Sequence, residues 1–129
     1  MNINDFIKLV DGKKIGTNSA DNGQCTAIPA LWEKENGWPI VPGDAKDTLA
    51  NAPSSAYEKV DNTPTNCPPE GAIMVWGPSW GEGHGHTGVV VSANAHTFST
   101  VEQNNGDGGL AHVQSHPHYN GVLGWFVRR

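Results

Sequence analysis

Cys25 stands in "DNGQCTAIPALW" (21–32), where a loop bearing glycine and asparagine runs into a segment with Ile28, Leu31 and Trp32 at helical spacing. The first N–H groups of a helix lack backbone partners and the positive end of its dipole lies there. A thiolate at this junction is therefore stabilised and made nucleophilic. Such a cysteine needs a base, a group that orients the base, and donors for the oxyanion it creates. "GHGHTGVVV" places His86 where a glycine loop enters an apolar strand, fixed on one side and open on the other; His84, in the same loop, is farther from that strand and is read as lining the cleft. In "TFSTVEQNN" a strand pattern ends in Glu102 and Asn104, two residues apart and so on one face, and either group accepts the second ring N–H of His86. The backbone N–H of Cys25 and the Gln24 carboxamide are the nearest oxyanion donors. On the residues alone, Cys25 also fits a buried core thiol, a disulfide partner or a metal ligand.

The elements that would position these groups fall in two halves. "NDFIKLV" sets Phe6, Ile7 and Val10 on one helical face, with Asn4 as N-cap. A turn-rich loop follows, then a helix from Cys25 that stops near "ENG", with Gly37 in the left-handed region; Pro29 is tolerated in its first turn. Asp44 caps a short helix, "AKDTLANA". The second half reads as strands: "AYEKV" at an edge, "AIMVW" (72–76), "TGVVVSA" (87–93), "HTFSTVEQ" (96–103), "LAHVQSH" and "GVLGWFVRR". Helices first and strands after predict an α+β fold, with helices on one side of an antiparallel sheet. The 129 residues fit one domain, 1–129, expected to be a monomer.

Net charge −5 argues against a nucleic-acid partner and gives no attraction to an anionic wall or membrane. No apolar run approaches the roughly 20 residues of a membrane span. The start, "MNINDFIKLVDGKK", lacks a basic leader and a long apolar block, which predicts cytoplasmic synthesis without a signal peptide. The two cysteines lack CxxC spacing, and Cys67, followed by Pro-Pro, reads as a structural or incidental thiol. His96 is expected at an exposed hairpin turn. "HVQSHPH" lacks regular metal-ligand spacing, so His112, His116 and His118 are expected in a solvated loop and no metal site is assigned. Trp32, Trp76 and Trp125 read as core. Trp80, in the glycine loop "GPSWGEG", reads either as a substrate platform or as a loop anchor.

The order "GQCT", "PPEGAIMVW", "GHTGVVV", "VEQNN" and a closing "GVLGWFVRR", over nearly the whole chain, resembles the CHAP family of cysteine, histidine-dependent amidohydrolases and peptidases, and in particular the catalytic domains of phage endolysins. The resemblance implies a papain-like α+β fold, N-terminal helices against a C-terminal antiparallel sheet, and cleavage of an amide bond in bacterial peptidoglycan after release of the protein from the cytoplasm. It implies Cys25 as nucleophile, His86 as base, Glu102 as the group orienting His86, Asn104 as a polar fourth member and Gln24 as the residue preceding the nucleophile. Two other readings share the fold: a non-catalytic wall-binding module and a cysteine amidase of small-molecule amides. Wall attachment is expected from a separate domain or subunit. No cofactor is expected. Calcium, bound before the cysteine in some phage relatives, needs about six to eight oxygen ligands, and here only Asp21 is acidic, beside Asn18, Ser19 and Asn22.

Overall fold

Ile3–Val10 form α1, whose residues Ile3, Phe6 and Val10 are buried. Its N-cap is Asn2, which accepts the Asp5 N–H at 2.8 Å, so the helix begins before the expected cap at Asn4. The computed structural model describes residues 1–16, 24–104 and 109–129. Asn18, Ser19, Asp21 and Asn22, the candidate calcium residues, lie outside the described residues.

The second helix, α2, spans Ala27–Glu35 and starts two residues later than expected. Cys25 and Thr26 form the turn that leads into it, and Pro29 sits in the first turn, where its missing N–H has no helical partner to lose. Its end matches the sequence reading. Gly37 has φ of 73°, its N–H reaches Lys34 O at 3.1 Å, and Trp38 N–H reaches Glu33 O at 2.8 Å. The expected short helix divides into a tight turn, Ala45–Asp47, and a single helical turn α3, Thr48–Asn51. Asp44 holds the cap position, but its side chain makes no cap bond.

Among the described residues six strands form one antiparallel sheet: β1 (Tyr57–Asp61), β2 (Ile73–Trp76), β3 (His86–Ala93), β4 (Phe98–Glu102), β5 (His112–His116) and β6 (Val122–Arg128). Their spatial order is β1-β6-β2-β3-β4-β5, which puts "AYEKV" on an edge as expected. Ile73, Val75, Val89 and Val101 pack with Phe6, Ile28 and Trp32 on the helical side. Met74, Trp76, Val90, Phe98 and Trp125 form a second core on the other face, with Trp80 and Tyr119 packed against it. This is why "AIMVW" is apolar without alternation: all four residues of β2 are buried, alternately into the two cores. Trp76 is fully buried, and truncating such a side chain to alanine costs about 3–5 kcal/mol.

The pairing register decides where the site lies. Trp76 stands opposite His86. A slip of one residue would turn His86 to the helical side. Gly85 anchors that register: its φ is +81°, and a Cβ there would lie 2.6 Å from Trp76 O and from Lys46 N. Only glycine lets the chain pass there and deliver His86 to the first position of β3.

Candidate active site

His86 and Glu102 start and end neighbouring strands, and both are buried, 4% and 0% exposed. Nε2 of His86 lies 3.1 Å from Oε1 of Glu102. That is ion-pair distance, although the N–H axis is not aligned for a full hydrogen bond, and this nitrogen finds no such bond among the described residues. The Cys25 thiol acts on the same ring and favours its charged form. Cys25 is half-buried and free, and with His86 it lines a groove of about 770 Å³. Gln24, Asp44, Glu82, His84 and Asn104 also line it.

The electrostatics follow from burial opposed by partners. Burial pulls the His86 pKa down, but the Cys25 thiol and the Glu102 carboxylate facing the ring outweigh it and lift the group from 6.5 to about 9. Burial likewise pushes Glu102 up, yet the hydrogen bond with His116, the ion pair with His86 and the Thr100 hydroxyl bring it down from 4.5 to about 2. An ionised carboxylate beside a protonated imidazole suits a cysteine site, because the imidazolium stabilises the thiolate.

The structure thus brings Cys25, His86 and Glu102 together. Asn104 does not share the buried face of Glu102: it lies past the end of β4 with φ of 63°, exposed, and meets the groove instead. Gln24 is exposed at the groove beside Cys25. His84 lines the groove and faces Asp44 Oδ2 at 3.5 Å. Trp80 is half-buried and stacks on the His86 ring (centroids 5.8 Å apart, planes at 21°), away from the groove lining. The solvated-loop reading of "HVQSHPH" fails for His116. This residue ends β5, is 6% exposed, and contacts Glu102 Oε2 at 2.8 Å. His112 is also in β5, 3.1 Å from Asp11, whereas His118 is exposed. Cys67 is exposed and free.

Gln103 escaped the sequence reading. It is fully buried; its Nε2 donates to Ile15 O at 2.9 Å and to Gln24 O at 2.8 Å, and its Oε1 accepts Ile15 N–H at 2.7 Å. The end of β4 is thereby tied to the residue before Cys25. Strand alternation carried the one available signal: between Glu102 and Asn104, residue 103 must leave on the opposite side.

An antiparallel sheet with helices on one side, and a Cys–His–Glu set where a helix start meets two strand ends, define the class of this α+β protein. The CHAP domain family matches residues 15–104, more than half of the sequence, and the chain belongs to that family. Its fold is similar to that of LysIME-EF1, a wild-type endolysin, with TM-score 0.79 and 24% identity over 98% of this chain and 64% of that one. It is also similar to Ly7917, solved alone and with the hydrolyzing product of MDP; the TM-scores are 0.64 and 0.66, at 15% identity over 95% of this chain and 60% of Ly7917. The chain therefore spans less than two thirds of the length of these solved chains. No curated protein matches its sequence. Among the described residues no helix is long and apolar enough to cross a membrane.

Proposed function

We propose that this chain is a cysteine peptidoglycan hydrolase that cleaves an amide bond of the bacterial cell wall. The observation that carries the reading is the convergence of Cys25 and His86 on one groove, with the Glu102 carboxylate 3.1 Å behind the His86 ring. Membership of the CHAP family and the endolysin-like fold supply the substrate class.

The steps balance with side chains and water alone. The Cys25 thiolate attacks the amide carbonyl carbon and its π electrons move to oxygen, where the Cys25 N–H and the Gln24 carboxamide stabilise the charge. The oxyanion collapses, the C–N bond breaks, and the His86 imidazolium gives its proton to the departing nitrogen. Neutral His86 then takes a proton from water as the oxygen attacks the thioester. The C–S bond breaks, the acid leaves, and the thiolate–imidazolium pair is restored. Glu102 holds the ring orientation and balances its charge throughout. His84 and Asn104, at the groove wall, meet the substrate; Trp80 supports His86 from behind. An acidic chain gains nothing from an anionic wall, so attachment falls to a separate domain or subunit.

Clearing of purified cell-wall suspensions by wild type and by Cys25→Ala tests the reading. Loss of clearing is expected, and clearing at the wild-type rate would overturn it. Mass spectrometry of the released fragments then identifies the bond: the amide between muramic acid and L-alanine, or one within the stem peptide or cross-bridge.

A further inference from the structure

The mechanism uses one oxygen of Glu102; the other is held by a residue outside it. Oε1 faces His86, while Oε2 lies 2.8 Å from Nε2 of His116 and accepts the Thr100 hydroxyl. Thr100 Oγ1 is also 3.3 Å from that same Nε2. An ionised carboxylate only accepts, so His116 must carry its proton on Nε2 and donate it. The His116 ring is clamped. It stacks on Phe98 with centroids 4.8 Å apart and planes at 19°, and tilts against Trp76 at 5.0 Å. Its outer side lines a second groove, of about 570 Å³, with Ser99, Ser115 and Pro117.

We propose that His116 is a positioning residue for the active site: its Nε2–H fixes the Glu102 carboxylate so that Oε1 stays turned to His86. The proposal rests on the reading of Cys25, His86 and Glu102 as the reacting set. The physical need is specific. A buried carboxylate is free to turn about its last side-chain bond unless both oxygens are held, and a rotation would carry Oε1 away from His86. His116 also offsets the cost of keeping this charge out of water. The groups packed around His116 are Glu102 and Thr100 from β4, Trp76 from β2 and Trp80 from the following loop. His86 lies across the carboxylate, and the second groove adds Ser, Thr, Asn, Ala, Phe and Pro side chains.

Two variants of the full chain separate the donor from the ring. His116→Phe keeps the stacking and removes the donor; His116→Gln keeps an N–H near the Nε2 position. His116→Phe is expected to lower kcat at least tenfold with KM within about twofold. It should also slow alkylation of Cys25 by iodoacetamide at neutral pH severalfold, with Cys67 as internal control. His116→Gln is expected to stay within about threefold of wild type in kcat. A folded His116→Phe with wild-type kcat and alkylation profile, or a His116→Gln as impaired as His116→Phe, would overturn the proposal. Nitrogen-15 histidine spectra of the unaltered chain decide the matter even if His116→Phe does not fold: the Nε2–H tautomer is required, and an Nδ1–H tautomer sinks it. Alkylation and spectra need no wall substrate, so they separate failure of this proposal from failure of the hydrolase reading, which Cys25→Ala reports.

Discussion

Among the described residues two glutamates are buried, and their pKa values move in opposite directions. Glu33, on α2, is 1% exposed and sits beside Pro29, Ile73 and Phe126. Burial lifts its pKa from 4.5 to about 7, against a Val41 N–H and the Tyr57 hydroxyl, which favour the charge. Tyr57 has a single proton, and its oxygen is 2.6 Å from Pro39 O but 3.2 Å from Glu33 Oε2. The Pro39 contact is the shorter, so Glu33 has only the weaker share of that donor. Glu102 is as deeply buried, yet donors from His116, His86 and Thr100 bring it to about 2. Burial acts with the same sign in both places; the donors around the carboxyl decide the charge. The first carboxyl is shifted toward its neutral form, and the second is held as an anion.

The sharpest test of this contrast is a paired neutralisation. Glu102→Gln keeps the size of the side chain and removes the charge, and kcat/KM should fall about 10²-fold or more. Glu33→Gln, assayed beside it for wall clearing, should stay within about twofold of wild type. Equal losses would erase the distinction.

Gly88 tests the packing around the anion. A Cβ there would lie 2.9 Å from Val101 O, 3.1 Å from Thr100 Cβ and 3.2 Å from Glu102 Cβ. The strand backbone cannot give way cheaply, so Gly88→Ala should lower activity about tenfold. Urea unfolding should show about 1–3 kcal/mol of lost stability.

The pH dependence of stability separates the two carboxyls by sign. For Glu33 the folded value lies above the unfolded one, so its contribution is full below pH 4.5 and is lost as pH rises through 7. Urea titrations should show that decline, at most about 3 kcal/mol, and Glu33→Gln should flatten it. For Glu102 the folded value is lower, so its contribution is full above pH 4.5 and is lost as pH falls toward 2. Glu102→Gln should remove that acid-side loss. His86 adds a contribution that is full below 6.5 and is lost as pH rises through 9.

The smallest expected effect is at the other thiol. Cys67→Ser should change stability by less than about 0.5 kcal/mol and leave wall clearing unaltered, because the side chain is exposed and lies outside the groove.

Much of this was legible in the residues. Six strands and the helices appear near their expected places because local signals carried them: Gly37 at a helix stop, "AIMVW" as a doubly buried strand, glycines around His86. His86 and Glu102 were legible because each lies at the end of a strongly patterned strand. His116 was not, since a histidine followed by proline and a second histidine looks like a solvated turn. Its burial depends on Phe98 and Trp76, which come from two other strands. The packing of Trp80 was hidden for the same reason: what its ring covers, His86 and Trp76, arrives from other elements.

The sequence by itself determined the α+β order, the thiol at a helix entrance, and the histidine and acid at successive strand ends, because periodicity, glycine placement and caps act over a few residues. Tertiary structure alone decided which way each side chain faces. The β2–β3 register set His86 opposite Trp76, and the approach of β5 gave Glu102 its second histidine. Those contacts join residues far apart in the chain, and the charge of a buried carboxyl depends on which donors meet it there rather than on its neighbours in sequence.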